Sequence, residues 1–391
     1  YKYFLIYLNM KNVYKHLIFI FVIFVAVKIF LSIFITVPGP YSDYYAYSKM
    51  ARSFFYFGNF NIHGVPSYQF PPLYPMLISI AYIFKNMELV FFFIKIINSM
   101  LSSFIIFPAF LLAKEFLDEK KSLLFSILIS VLPSNFSFSQ YIMAENLFYP
   151  LFLFSIYFMY KSFVSNGIKY DFLTGLFIGF TILSRLIGII LIPTFLLSVI
   201  VYYFFERKIE FKKRIIVILT FLLALLPLII ITFKRNFQNP VVSYESSMNY
   251  TLESFVTLLT FYIAYYILSS GILPFILNLT LVKNIFKKSN LRYFLVISFS
   301  SILFSLLIMA NHNSGRLGRF PVNLFPWFTG KIIGRYADMV LPLIFLGAFI
   351  VIFYYKDYNK KIKYPFIITI FLLLVSSQII FLSLFPTNNL S

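Results

Sequence analysis

The sequence predicts an all-α polytopic membrane protein with about eleven transmembrane helices, plus interfacial helices in its first outer loop. Hydrophobic residues make up 61% of the 391 residues and charged residues only 12%, whereas a soluble domain carries roughly 25% charged residues. Apolar runs of spanning length recur from one end of the sequence to the other. We therefore interpret residues 1–391 as a single membrane domain without a large soluble domain.

The candidate spans are apolar runs, because about 17–25 residues of helix cross the hydrocarbon core of a bilayer. The first run is too long for a signal-peptide core and lacks a small-residue cleavage site, so we predict a retained anchor. A further run, 72–84, follows a Pro-Pro pair and is interpreted as a helix in the outer interface. The candidate spans are 17–37, 90–112, 123–141, 147–160, 172–185, 187–205, 215–233, 256–280, 293–310, 337–355 and 365–385.

The distribution of basic residues predicts the orientation. Six segments on one side of this arrangement hold 21 of the 33 Lys and Arg residues. The positive-inside rule places them in the cytoplasm, so we expect a cell-membrane protein with a cytoplasmic N-terminus. If the run 72–84 crossed the membrane, every later basic loop would face outward. The same rule explains the net charge of +20 without a nucleic-acid partner.

Residues 38–84 form the first outer loop and carry the strongest catalytic candidate, Asp43. From Asp43 to Phe55, apolar and aromatic residues recur at helical spacing, which predicts an amphipathic helix on the membrane surface. The Asp43 carboxylate could instead cap that helix, a role worth about 1 kcal/mol. His63 follows in a Gly-containing turn, where it either bonds a sugar or is an ordinary surface residue.

The outer side also concentrates ionisable residues that orientation does not require. Glu145 lies at the predicted outer start of a span, and Arg185 lies at a predicted turn between two spans. Ionisable residues at a membrane boundary are functional candidates. These two could equally pair with each other, and Glu145 could instead cap its helix. With no Cys and three scattered His residues, the sequence predicts no metal site. The remaining candidates are Arg316, Arg319, Lys331, Arg335 and Tyr336.

Five motifs, taken in order, resemble those of the GT-C glycosyltransferases. Their order and spacing cover nearly the whole chain. Within that superfamily the chain is similar to the branch of protein O-mannosyltransferases and lipid A aminoarabinose transferases. The motifs are SDYYAYSKMA (42–51), FPPLYPMLIS (70–79), QYIMAENLF (140–148), LSR (183–185) and GRYADMVLP (334–342).

This resemblance implies an inverting glycosyltransferase whose donor is a sugar linked to a polyprenyl phosphate at the outer leaflet. By position, Asp43 corresponds to the catalytic base of the family. The chain has Ser-Asp where many relatives carry a second acidic residue, and we expect no large C-terminal soluble domain within residues 1–391. The acceptor therefore stays open among a lipid, a glycan and a protein. No cofactor is indicated, and dependence on a divalent metal stays open.

Such a transfer needs a carboxylate to accept the proton of the acceptor hydroxyl, and positive charge to stabilise the departing phosphate. Arg335 is the first candidate for the phosphate, because a guanidinium group can bind two of its oxygens. Its alternative role is snorkelling to the membrane interface. The candidate substrate-binding residues are Arg335, Tyr336, Arg185, Glu145, His63, Arg316, Arg319 and Lys331.

Two other kinds of protein remain as alternatives. A transporter or flippase of lipid-linked sugars would typically show internal repeats and broken helices at the midplane of the membrane, and no repeat is visible in the sequence. A polymerase of lipid-linked sugars would need a large outer loop late in the chain, whereas 311–336 is short.

Overall fold

The computed structural model describes residues 2–37, 42–66, 70–208, 210–238, 252–287, 290–317, 334–354 and 362–380, and most of these residues are helical. The α-helices are α1 (Lys2–Ser32), α2 (Ser42–Phe57), α3 (Leu73–Ile78), α4 (Met87–Ser103), α5 (Ile106–Lys114), α6 (Glu119–Ser130), α7 (Pro133–Ser137), α8 (Glu145–Val164), α9 (Ile168–Ser184), α10 (Leu191–Glu206), α11 (Phe211–Gln238), α12 (Leu252–Ser269), α13 (Ile272–Thr280), α14 (Asn290–Leu317), α15 (Leu341–Tyr354) and α16 (Lys363–Ile380).

Shorter elements lie between these helices. In the described ranges, the β structure is one antiparallel hairpin, β1 (Asn61–Ile62) with β2 (Val65–Pro66). The 3₁₀ turns are Ser79–Ile83, Phe138–Gln140, Leu186–Ile190, Val282–Phe286, Gly334–Tyr336 and Asp338–Val340.

Six helical segments of the described chain are long and apolar enough to cross a membrane, or up to eight if each of two bent helix pairs is one span. A multi-pass helical membrane protein is therefore confirmed, but the predicted number of about eleven spans is not. The six segments are Val13–Ser32, Met87–Lys114, Glu145–Val164, Leu186–Glu206, Asn290–His312 and Gly334–Tyr354.

Two of the predicted spans, 123–141 and 256–280, are bent in the structure. The axis turns by 59° between Glu119–Ser130 and Pro133–Gln140, and by 102° between Phe255–Ser269 and Ile272–Phe286. Gly271 lies at the second break with a φ of 78° and a ψ of 137°, a backbone conformation that favours glycine. In both segments the backbone conformation breaks the helix, although the apolar sequence continues across the break.

The run 72–84 forms a short apolar helix, Leu73–Ile83. At 1.5 Å per residue, 11 residues reach about 16 Å as an α-helix, about half of the hydrocarbon core. Its length fits the predicted interfacial helix and is too short for a span.

By its internal contacts the chain divides into two compact units, and the first comprises 1–158, 172–188 and 216–235. Here α1 packs against α4. Helix α1 exposes large apolar side chains such as Phe19 and Phe30, but it buries Lys28 completely. A cluster of buried apolar side chains joins α2, α3 and α4 and includes Tyr47, Tyr74, Ile78, Val90 and Ile94.

The second unit comprises 159–171, 189–215 and 236–391. In it α12 packs on α14, and α13 packs on α15. A Cβ atom added at Gly347 of α15 would lie 1.9 Å from Oδ1 of Asn278 on α13, so the close approach of these helices requires glycine. The predicted single membrane domain stays a prediction.

Candidate active site

Asp43 lies in the first turn of α2 and is half-buried. A carboxylate in this position is stabilised by the positive end of the helix dipole, and it stays near the surface, where a substrate can reach it. Helix α2 forms as predicted because its buried residues Ala46, Tyr47, Met50 and Ala51 lie on one face.

That buried face fixes α2 to the short helix that follows it. The Tyr82 hydroxyl donates to the backbone oxygen of Ser48 (2.8 Å) and lies 2.7 Å from Ser48 Oγ. The Tyr47 ring makes an edge contact with the ring of Tyr74, with 5.2 Å between the centroids. The helix carrying Asp43 is therefore held by side chains one turn after the carboxylate.

Tyr74, from the Pro-Pro-Leu-Tyr-Pro motif, joins three parts of the first unit. It is fully buried, and its hydroxyl donates to Asn98 Oδ1 on α4 (3.0 Å). Asn98 Nδ2 in turn donates to the backbone oxygen of Tyr141 (2.8 Å). Burial raises the pKa of the Tyr74 hydroxyl well above its usual value, so the phenol stays protonated and keeps its hydrogen bond. Two motifs that the sequence separates by about 70 residues thus meet on α4.

Glu145 and Arg185 form a buried ion pair, with side chains 1% and 8% exposed. Each lies at the end of a helix, since α8 begins at Glu145 and α9 ends at Ser184. Of the roles that the sequence left open for these residues, pairing is the one seen in the structure. A direct role of Arg185 or Glu145 in substrate binding stays a prediction.

His63 lies at the tip of the β1–β2 hairpin and is exposed. Its φ of 52° and the φ of 79° at Gly64 are both positive, as two-residue type I′ hairpin turns require. Its Nε2 atom forms a hydrogen bond with the Tyr45 hydroxyl, and Lys49 Nζ lies 5.3 Å from the centre of the Tyr45 ring. His63 is therefore tied to α2 two residues after Asp43.

The second unit holds the candidates from the end of the chain. Arg335 is buried, with its guanidinium carbon 5.4 Å from the centre of the Tyr336 ring. The nearby Asp338 accepts a 2.6 Å hydrogen bond from the Tyr265 hydroxyl. The hydrogen bond between Asp338 and Tyr265 of α12 was not predicted, because sequence spacing does not reveal contacts between residues far apart in the chain. That Arg335 and Tyr336 share a site with Asp43 stays a prediction.

The other predicted binding residues lie at the end of a helix or outside the described residues. Arg316 belongs to the last turn of α14, whereas Arg319 and Lys331 lie outside the described residues. Among residues that are described, no group of three or more His, Asp or Glu side chains could hold a metal ion.

Helix α4 carries a buried polar face that was not predicted. The signal was present, because polar residues recur at helical spacing within the predicted span 90–112. The Lys28 ammonium on α1 donates to Ser102 Oγ on this face (2.8 Å). The buried polar residues of α4 are Lys95, Asn98, Ser99, Ser102 and Ser103.

Asp43 is half-buried in the first turn of α2, and Tyr45 of the same helix contacts His63 and Lys49. A carboxylate at a partly accessible position can accept a proton from a neutral hydroxyl group. The exposed Tyr45 and His63 and the half-buried Lys49 offer polar contacts to a hydroxyl-rich ligand.

Residues 69–232 match the model of a family described as dolichyl-phosphate-mannose-protein mannosyltransferase. The matched range contains the Pro-Pro-Leu-Tyr-Pro motif, Glu145 and Arg185. No curated protein matches the sequence.

The solved structures that share the fold include two of an ArnT. ArnT from Cupriavidus metallidurans bound to undecaprenyl phosphate has a TM-score of 0.60 and 14% sequence identity, covering 93% of this chain and 65% of the ArnT chain. The apo state of the same ArnT has a TM-score of 0.57 and 12% identity, covering 94% of this chain and 65% of that chain. The present chain thus spans 65% of the ArnT chain. Residues 69–232 are therefore similar to this mannosyltransferase family, and the chain shares its fold with ArnT.

Proposed function

We propose that this protein is an inverting glycosyltransferase that moves a sugar from a polyprenyl-phosphate donor to an acceptor at the outer face of the membrane. One observation carries the proposal. The fold matches, over 93% of this chain, that of an ArnT solved with undecaprenyl phosphate bound. The family matched by residues 69–232 is named for dolichyl-phosphate-mannose, which is also a sugar on a polyprenyl phosphate.

In the proposed reaction, the acceptor hydroxyl oxygen attacks the anomeric carbon of the donor sugar. The bond from that carbon to the phosphate oxygen breaks, and the polyprenyl phosphate leaves with the electron pair. Asp43 accepts the proton of the attacking hydroxyl as general base. The leaving phosphate needs no proton to depart, so a single carboxylate is sufficient for the chemistry.

We assign the phosphate of the donor to Arg335 and Tyr336, with Arg316, Arg319 and Lys331 closing over it. A guanidinium group suits this task, because its planar donors can bind two phosphate oxygens and keep their charge at any physiological pH. His63, which is tied to Tyr45, is assigned to the sugar or the acceptor. The proposal does not specify which sugar is transferred, or whether the acceptor is a lipid, a glycan or a protein.

The test uses the purified protein in lipid nanodiscs with a series of polyprenyl-phosphate sugars, scoring release of free polyprenyl phosphate. Asp43→Asn should reduce release more than about 100-fold, which is the scale of general-base catalysis, while donor binding persists. Asparagine supports a helix N-terminus about as well as aspartate does, so loss of a capping role alone would leave activity nearly intact.

Asp118→Asn is the matched control, because Asp118 caps α6 by accepting a hydrogen bond from the Lys121 backbone nitrogen. This variant should keep wild-type release. Arg335→Ala should raise the donor concentration needed for half-maximal rate. Activity of Asp43→Asn within tenfold of wild type would rule out the base assignment. A protein that moves the donor between leaflets without releasing lipid phosphate would be a flippase.

A further inference from the structure

Lys95 is a buried lysine on α4 that the proposed reaction does not use. Its side chain is buried within the predicted span 90–112, with only 3% of its surface exposed. The ammonium group donates to the backbone oxygens of Ser32 and, at 2.5 Å, Ile35. It also lies 4.6 Å from the centre of the Phe91 ring, a cation–π contact.

These contacts hold the C-terminal end of α1. The last carbonyl groups of a helix have no partner within the helix, and a cation is favourable at that end. After Ser32 the chain continues in a tighter turn, where the Ile35 nitrogen donates to the Ser32 oxygen at 3.3 Å. Lys95 therefore fixes the point from which the chain leaves α1, and Asp43 follows only eight residues after Ile35.

The same face of α4 also holds the segment that follows Asp43. Asn98 lies three residues after Lys95, a spacing that puts both side chains on one side of the helix. Asn98 accepts the hydrogen bond of Tyr74, and Tyr74 contacts Tyr47 of α2. The chain before the carboxylate and the helix that carries it are thus both attached to α4.

We infer that Lys95 is a positioning residue for the Asp43 carboxylate, acting through the end of α1. This inference rests on the proposed function. Catalysis by a positioned base is sensitive to small shifts, since a misplacement of about 1 Å can reduce the rate about 100-fold. Lys95 does not bind the donor phosphate in this proposal, so its loss should change the rate at saturating donor and leave donor binding intact.

The first test compares Lys95→Met with Lys95→Arg and with Lys85→Met, a matched control at an exposed lysine on the loop before α4. Lys95→Met should lower kcat about 10- to 100-fold and leave KM for the donor within about twofold. Lys95→Arg keeps the donated hydrogen bonds and should recover most of the rate, and Lys85→Met should match wild type. A raised KM with unchanged kcat would instead make Lys95 a donor ligand, and unchanged kcat and KM would also overturn the inference.

A second variant leaves the buried lysine untouched. Two glycines inserted after Val37 keep the Lys95 contacts but loosen the connection between the end of α1 and Asp43. This variant should lose kcat to a similar extent. If it retains wild-type kcat, fixing the end of α1 does not position the carboxylate.

Amide hydrogen exchange gives a readout that does not depend on activity. Lys95→Met should exchange faster than wild type over residues 33–48, whereas Lys85→Met should not. If wild-type protein transfers sugar from none of the donors, the proposed function fails while the exchange result still tests the structural link. Unchanged exchange over 33–48 would overturn that link even in an active enzyme.

Discussion

The Glu145–Arg185 ion pair predicts a large and specific loss of stability when one partner is removed. In Arg185→Met the Glu145 carboxylate loses the guanidinium group of its ion pair in a site where only 1% of its side chain is exposed. Leaving one charge of a buried pair without its partner typically costs about 3–5 kcal/mol. We therefore expect Arg185→Met and Glu145→Gln each to lose free energy of unfolding on this scale.

The Lys114–Glu119 pair is an internal control for this magnitude. Its atoms are 2.9 Å apart, but its side chains are 26% and 31% exposed, so solvent screens the interaction. Such pairs contribute about 0.2–1 kcal/mol, and Lys114→Met should therefore be several-fold less destabilising than Arg185→Met. The double variant Glu145→Gln/Arg185→Met should recover at least half of the loss, because no unpaired charge remains in the buried site.

Unfolding would be followed by loss of helical circular dichroism against denaturant, in one detergent for all variants. The reasoning fails if the single variants stay within about 1 kcal/mol of wild type, the level of an exposed pair. It also fails if the double variant is no more stable than either single variant. Loss of activity without loss of stability would show that Arg185 serves substrate binding instead.

Two further predictions test the packing and the orientation. Gly347→Ala should cost about 1–3 kcal/mol through overpacking, because its Cβ would lie 1.9 Å from Asn278 Oδ1. In the same unfolding assay, adding Asn278→Ala should restore at least half of the lost free energy of unfolding. No restoration would contradict the assigned clash. Since the chain has no native cysteine, Asp118→Cys and Glu245→Cys can each be labelled alone with a membrane-impermeant reagent. We expect labelling from opposite sides of the membrane, and labelling from the same side would refute the orientation derived from loop charge.

The sequence predicted local features well because their causes are local. The amphipathic helix at 42–57 follows from the spacing of its apolar residues. The interfacial helix at 72–84 follows from the Pro pair at its start and from an apolar run too short to span the membrane. The bends near residues 131 and 270 were missed, because hydropathy is continuous across them and only the backbone conformation changes.

Contacts between residues far apart in the sequence could be identified only from the folded structure. Glu145 and Arg185 were left as either a pair or separate ligands, and their pairing emerged only when the ends of α8 and α9 were brought together. Lys95 was overlooked as one polar residue in an apolar span, since nothing near it in sequence indicates that it holds carbonyl groups about 60 residues away.

By itself, the sequence determined that this protein lies in a lipid bilayer and which of its segments are apolar or basic. Apolar runs must lie in lipid, because water would make their exposure costly, and basic loops favour one side of the membrane. Tertiary structure alone decided which polar groups meet, including the attachment of both flanks of Asp43 to one face of α4. The reason is that a buried polar group must find a partner wherever the fold supplies one, and that partner is set by helix packing rather than by proximity along the chain.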